Sequence, residues 1–418
     1  MEMQASPTTF RAYLFFWLGQ LTSLLGSSIA QFVIIWWITL ETGSALYLSI
    51  ASFLGLAPMV ILSPFAGVLV DRWSRRALIG VVDFLQALAT VVLIFLFAVG
   101  IISIWHVLTL LTLRGIFQAF HYPATSAIIP LMVPKEKLSR MNGLNYLCNG
   151  AVTLMGPVVA ALLLGFWLIH QILWVDVATF IIALIPLLMV RIPSVRVKQE
   201  KSSFKGEFME GFSFIKSARL LPLLIVATVL NFLLAPLSTL LPYYVRFDHL
   251  GEASDLALVM ASLQAGILAG GLLMSIIKGF RKKMVVVAIS IYVIFLGYAL
   301  VALTPTGLFW FMSMSIVIMT FCVPIANVLT QTIFQTVIPM KMQGRVNSVV
   351  ISLASAAQPI GMILSGTVVT FTGSANLFLG CAVLGILTMT VSWLFTDIRH
   401  VEKAEETSIE TQPPTNSA

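Results

Sequence analysis

The feature that most constrains this chain is a succession of long apolar stretches, each near the length that carries an α-helix across a bilayer. Crossing the hydrocarbon core takes about 20 mostly apolar residues. With that window, spans are predicted at roughly 13–38, 45–70, 77–99, 104–130, 143–166, 169–190, 220–244, 256–278, 284–303, 308–336, 346–370 and 375–396. A chain in lipid must satisfy its own backbone hydrogen bonds, so stretches of this length are read as helices. Composition agrees: 59% of the 418 residues are hydrophobic and 10% are charged, whereas soluble domains average about 25% charged. The first stretch, from about Tyr13 to Leu40, exceeds the apolar core of about 7–15 residues found in a signal peptide and is predicted to be the first spanning helix.

The loop charges supply a second reading. Arg11 precedes span 1, and Arg72, Arg75 and Arg76 lie between spans 2 and 3. Lys135, Lys137 and Arg140 follow span 4, and seven bases from Arg191 to Arg219 fill the loop between spans 6 and 7. Lys278, Arg281, Lys282 and Lys283 follow span 8, Lys341 and Arg345 follow span 10, and Arg399 and Lys403 lie in the tail. Of the 24 Lys and Arg residues, only Arg246 and the intramembrane Arg114 depart from this face. Such asymmetry marks the cytoplasmic side. It places both termini there, and it explains the +7 net charge without nucleic acid.

The expected fold class is therefore an all-α membrane protein with twelve transmembrane helices in two six-helix pseudo-repeats. The predicted plan is a bundle at 1–190, a cytoplasmic linker at 191–219, a second bundle at 220–396 and a disordered tail at 397–418. The linker stretch GEFMEGFSFIKSARL is open to two readings, an amphipathic surface helix or a solvated tether. The halves repeat in sequence. Pro134, Arg140 and Asn142 after span 4 match Pro339, Arg345 and Asn347 after span 10, both as P-x5-R-x-N. Pro123 in span 4 has a counterpart in Pro324 in span 10, and Gly156-Pro157 in Gln358-Pro359. Paired breakers at matching places are a mark of transporters built from repeats.

The loop between spans 2 and 3 reads Gly67-Val-Leu-Val-Asp71-Arg72-Trp73-Ser74-Arg75-Arg76. It resembles the G-x3-D-[RK]-x-G-R-[RK] motif of the major facilitator superfamily, with Ser74 at the position where the family usually has Gly. A charge latch is the reading that accounts for Gly67 and Asp71 as well as the arginines: Asp71 would meet an Arg or a helix N-terminus, with Arg72 beside it and Arg75 and Arg76 holding the loop to the face. Topogenic charge alone would account only for the arginines. Wider stretches resemble the drug:proton antiporter group, which includes bacterial macrolide efflux proteins. The matching residues are Glu41-Thr42-Gly43-Ser44-Ala45, Arg114 through Ala124, and Pro134 through Leu138. In span 4, Gln118 stands four residues after Arg114, where the antiporter pattern has Gln at three and Gly at four. In span 5, Gly156-Pro157 is kept, with Ala160 and Ala161 where further glycines are usual. The resemblance implies the twelve-helix fold of that superfamily, with spans 1, 4, 7 and 10 lining a central cavity.

Ionisable residues inside a span are costly and so carry functional hypotheses. Asp83, Arg114 and Asp176 are the three clear cases, and they are the candidates for proton coupling. Asp83 and Arg114 are expected at similar depth on consecutive helices and so as a buried pair, either proton-linked or static. Asp176 shows no evident partner. Among uncharged polar residues, Gln31, Gln118, Asn231, Asn327 and Gln331 are the candidates for substrate contact. Cys148, Cys322 and Cys381 lie far apart in apolar runs, and the five His are scattered; neither set has metal-ligand spacing, so no metal and no cofactor are expected. No P-loop, GxSxG or HExxH occurs, which argues against an enzyme and makes an ion gradient the energy source for any uphill transport.

The leading expectation is proton-coupled efflux of lipophilic drugs such as macrolides from a bacterial inner (plasma) membrane. Its expected partners are a small-molecule substrate, protons and the lipid bilayer, with the protein acting as a monomer. An exporter of a siderophore or other metabolite stays open. So does a non-transporting membrane sensor of the same fold, although no large accessory domain favours it.

Overall fold

The computed structural model describes residues 7–192, 204–217, 220–277 and 279–400. Among these, every long element is helical. The order is α1 (Pro7–Thr42), α2 (Ala45–Arg72), α3 (Arg75–Val99), α4 (Ile104–Ser126), the one-turn α5 (Ile129–Met132), α6 (Leu138–Leu164), α7 (Ile169–Met189) and α8 (Phe204–Ser217). Then follow α9 (Leu221–Tyr243), α10 (Ala253–Ile276), α11 (Lys283–Ala302), α12 (Phe309–Val337), α13 (Met340–Thr372) and α14 (Ser374–Phe395). Twelve of these run 20 residues or more, and eleven are apolar enough to cross a membrane on length and hydropathy alone. The exception is α4, the helix that carries His106, Arg114, Gln118 and His121. Side chains such as Phe95, Trp105 and Phe371 are 61%, 67% and 84% exposed, as expected where lipid rather than water covers them. The linker stretch left open by sequence is helical as α8, whose Ile215 is fully buried.

The chain divides into two compact units, residues 1–199 with 239–264, and residues 200–238 with 265–418. The segment 239–264 thus groups with the first six long helices. The reason is local: Tyr243 packs against an apolar cluster that includes Ile34, Trp37, Leu48 and Leu111, and Phe247 faces Gly43.

In the first unit two apolar slabs bracket a polar layer. One slab joins Ala30, Ile34 and Ile38 of α1 to Leu93 of α3, Leu108 and Leu111 of α4 and Leu173 of α7. The other joins Tyr13, Phe16 and Trp17 of α1 to Ile79 and Val82 of α3, Ile128 and Met132, and Leu187 of α7. Between them α1 runs close to its neighbours on small residues. A Cβ on Gly26 would lie 1.9 Å from Thr179 Oγ1 and 3.0 Å from Asp176 Cα of α7, and one on Gly156 of α6 would lie 2.6 Å from Ser28 Cβ. Small residues allow such approach where no hydrophobic force drives helices together in lipid.

In the second unit α11 and α12 meet where a Cβ on Gly297 would lie 2.8 Å from Met319 Cβ. Tyr298 of α11 stacks near Phe378 of α14, with ring centroids 5.6 Å apart. The Arg345 guanidinium, in the first turns of α13, pairs with Glu210 of α8. Among the described residues of this unit, the buried polar ones are hydroxyls such as Ser290, Thr320 and Ser365 rather than charges.

Candidate functional site

The polar layer of the first unit holds two separate clusters. The outer one is built on Asp176, 5% exposed. Its Oδ1 accepts from Ser27 Oγ at 2.8 Å, and its Oδ2 accepts from Thr90 Oγ1 at 2.7 Å and from Arg114 Nη1 at 3.3 Å. Arg114 Nη1 also donates to Thr90 Oγ1 at 3.3 Å. Four helices, α1, α3, α4 and α7, thus converge on one carboxylate, and the ion pair is net neutral between apolar slabs. The close approach at Gly26 puts the next residue, Ser27, within reach of Asp176.

The inner cluster is built on Asp83, 9% exposed. His121 Nε2 lies 3.0 Å from Asp83 Oδ1 and 3.2 Å from Gln20 Oε1, and Gln20 Nε2 donates to Asp83 Oδ2 at 3.4 Å. With an acceptor on either side of it, Nε2 is the nitrogen that carries hydrogen.

The expected Asp83–Arg114 pair does not form: Arg114 pairs with Asp176, and Asp83 with His121. Depth explains the correction. At 1.5 Å per residue, Asp83 sits about 24 Å from the outer end of α3 and His121 about 26 Å from that of α4, whereas Arg114 and Asp176 sit about 15 and 10 Å from theirs. Asp176, expected without a partner, has three. Sequence reasoning missed Ser27, Thr90 and Gln20 as ligands of the carboxylates and His121 as an ion partner. The spacing of His121, seven residues or two turns after Arg114, is the signal that puts both on one face of α4.

His121 and Gln20 also line a cavity of about 850 Å³ within the first unit. Aromatic groups (Tyr13, Phe16, Trp17, Tyr122, Tyr146) and amides (Gln118, Asn142, Asn145, Asn149) share its walls. The amides are ordered: Trp17 Nε1 donates to Asn145 Oδ1 at 2.9 Å, and Asn149 Nδ2 to the same oxygen at 3.0 Å. Large apolar surface with a few oriented polar groups suits an amphipathic ligand.

Of the five residues singled out for substrate contact, Gln118 lines this cavity. Gln31, also in the first unit, is exposed on α1 and is not among its lining residues. In the second unit Gln331 lines a smaller cavity of about 180 Å³ with Gln335, Gln343 and Asn347. Asn231 and Asn327 are exposed, and Asn231 Nδ2 donates to the Ala227 carbonyl one turn back at 2.9 Å. The sequence repeat has a structural counterpart, since Asn142 and Asn347 each line the cavity of their own unit.

At the motif between α2 and α3, Gly67, Asp71 and Arg72 fall in the last turns of α2, and their side chains lie outside the described residues. Ser74 caps α3, its Oγ accepting from Ala77 N at 3.3 Å, with φ −69°; no left-handed backbone requires the family's Gly here. Arg75 Nη1 donates to the Ala127 carbonyl at 3.3 Å just past α4, and Arg76 donates to the Leu188 carbonyl at the end of α7. Cations at helix C-termini neutralise the carbonyl dipoles there. Gly156 and Pro157 are buried in α6, at the close approach to Ser28. Among the described residues no group of three His, Cys, Asp or Glu is arranged to hold a metal ion.

Comparison with known proteins adds the following. The family profile described as Major Facilitator Superfamily matches residues 16–356 and, in a second placement, 249–417. Macrolide efflux protein A of Streptococcus pyogenes is 33% identical over 390 residues, covering 92% of this chain and 96% of that protein. The multidrug efflux pump Tap of Mycolicibacterium fortuitum is 24% identical, covering 92% and 96%, and the staphyloferrin A transporter of Staphylococcus aureus is 22% identical, covering 91% and 94%. Among solved structures, a POT family transporter in complex with 5-aminolevulinic acid aligns with a TM-score of 0.73 at 13% identity, covering 93% of this chain and 96% of that one. The nucleoside transporter NupG aligns with a TM-score of 0.68 at 13% identity, covering 91% and 98%. At such identities the structural likeness speaks to fold.

Proposed function

This chain belongs to the major facilitator superfamily, and from that premise we propose that it exports lipophilic drugs such as macrolides by alternating access in exchange for protons. It is a multi-pass membrane transporter of small molecules. The observation that carries the drug reading is the likeness along nearly the whole chain to a macrolide efflux protein. The cavity supports it, since its volume falls in the range of about 300–1,000 Å³ that encloses drug-sized ligands. The sequence has no nucleotide-binding motif, so an ion gradient drives the export. Asp83, Arg114 and Asp176 are the coupling residues in this reading. Gly67, Asp71 and Arg72 form the latch, with Arg75 and Arg76 anchoring it on the ends of α4 and α7, and Gly156-Pro157 is the close-packed point on which α6 turns. Gln31, Gln118, Asn231, Asn327 and Gln331 are the substrate-contacting residues in this reading. The transporter works as a monomer in a bacterial plasma membrane.

The likeness to a staphyloferrin A transporter favours a second reading, export of a polar metabolite by the same machinery. Expression in a drug-sensitive host lacking its main pumps separates the two. Efflux of drugs predicts raised resistance to macrolides that an uncoupler abolishes. Unchanged resistance across macrolides, tetracyclines and dyes sinks the drug reading and leaves the metabolite one.

A further inference from the structure

We propose that His121, backed by Asp83 and Gln20, is the group that exchanges the proton with the cavity, and that the ligand it trades against carries a basic amine; this rests on the proton-coupled reading above. The two buried clusters differ in access. Asp176 has both carboxylate oxygens engaged, and neither it nor Arg114 is among the residues that line the cavity. His121 lines the cavity itself, with its side chain 19% exposed. Its Nε2 is committed to Asp83 and Gln20, and among the described residues its Nδ1 has no hydrogen-bond partner. The Nδ1 lone pair therefore takes a proton from cavity water, or returns it there, while Nε2–H stays on Asp83.

The charge balance sets the ligand class. With the imidazole protonated, the His121–Asp83 pair is neutral. When Nδ1 gives up its proton, one net negative charge remains beside the cavity on Asp83. An ammonium in the cavity compensates that charge, so one proton out matches one cation in. Histidine is the side chain that makes such a change near physiological pH. The other titratable groups on the surrounding helices do not offer this exchange. Tyr13 on α1, Tyr122 on α4 and Tyr146 on α6 are phenols in the same walls. Arg114 on α4 and Asp176 on α7 are engaged with each other. Arg75 and Arg76 on α3 donate to helix-end carbonyls.

The test uses purified full-length protein in proteoliposomes, with erythromycin as the amine-bearing probe and a pH-indicator dye. Wild type is expected to release protons on erythromycin addition and to show several-fold stimulation of uptake by a proton gradient. In His121→Gln both are expected to vanish, and Asp83→Asn is expected to lose the same stimulation. Stimulation in His121→Gln equal to wild type would overturn the assignment. A second arm needs neither ligand nor variant: diethyl pyrocarbonate acylates neutral imidazole, and modification of His121 is counted by mass spectrometry. The expected result is modification at pH 7.5 and several-fold less at pH 5.5. Equal modification at both values overturns the proposal even if the variants do not fold. Should wild type fail to move erythromycin, the drug reading falls while this second arm still decides His121.

Discussion

At the scale of single residues, the ion pair in the outer cluster has an asymmetric energetics. Breaking a buried pair by removing one partner leaves the other charge uncompensated and costs about 3–5 kcal/mol, whereas replacing both with apolar groups is often close to neutral. Arg114→Met is therefore expected to lower the thermal midpoint of the purified protein sharply. Arg114→Met with Asp176→Leu should recover most of that loss, and a double variant no more stable than the single would show that the pair is not the source. Ser27→Ala removes one hydrogen bond to a charged acceptor, about 1.5–3 kcal/mol, and so should lower the same midpoint by less than Arg114→Met. Sequence identified the three intramembrane charges but not their pairing. Helix rise gives depth along the axis. That depth already separates Asp83 from Arg114. What it does not give is which groups at one depth face each other, as Ser27 and Thr90 face Asp176, and that is decided by close approaches such as that at Gly26.

At the scale of elements, α1 is the helix around which the first unit is assembled, and glycines set its distance from α6 and α7. A methyl on Gly26 meets Thr179 Oγ1 at 1.9 Å and Asp176 Cα at 3.0 Å, and overpacking of this kind costs about 1–3 kcal/mol. Gly26→Ala should destabilise the protein and pull Ser27 from Asp176. Adding Thr179→Ala, which removes the nearest clashing atom, should restore part of the midpoint in a thermal-unfolding assay. Absence of any rescue would place the fault elsewhere on the α1–α7 face. Hydropathy made eleven of the twelve long helices legible, because lipid demands an apolar run of fixed length. The helix α8 was legible only as one of two options, since in a short amphipathic segment docking decides the outcome. Here Ile215 is buried and Glu210 meets Arg345.

At the scale of the whole molecule, the topology turns on α4. Eleven helices qualify as spans on apolarity alone, and α4 falls short for a reason the structure supplies. Its costly groups are compensated within the fold, Arg114 by Asp176 and His121 by Asp83 and Gln20. A polar group with a partner inside the bundle does not meet lipid, so a helix that hydropathy undervalues can still cross. With 23 residues it reaches about 34 Å, enough for the hydrocarbon core. The loop charges make the same demand. If α4 did not cross, Lys135 and Lys137 would lie outside and every later basic loop would change sides. Single cysteines in a background lacking Cys148, Cys322 and Cys381 decide it. Twelve spans predict that a membrane-impermeant maleimide labels intact cells at Ile101→Cys and Phe166→Cys but not at Lys137→Cys. A non-crossing α4 would instead expose Lys137→Cys and hide Phe166→Cys, which would put the termini on opposite sides and undo the positive-inside assignment for the whole second half.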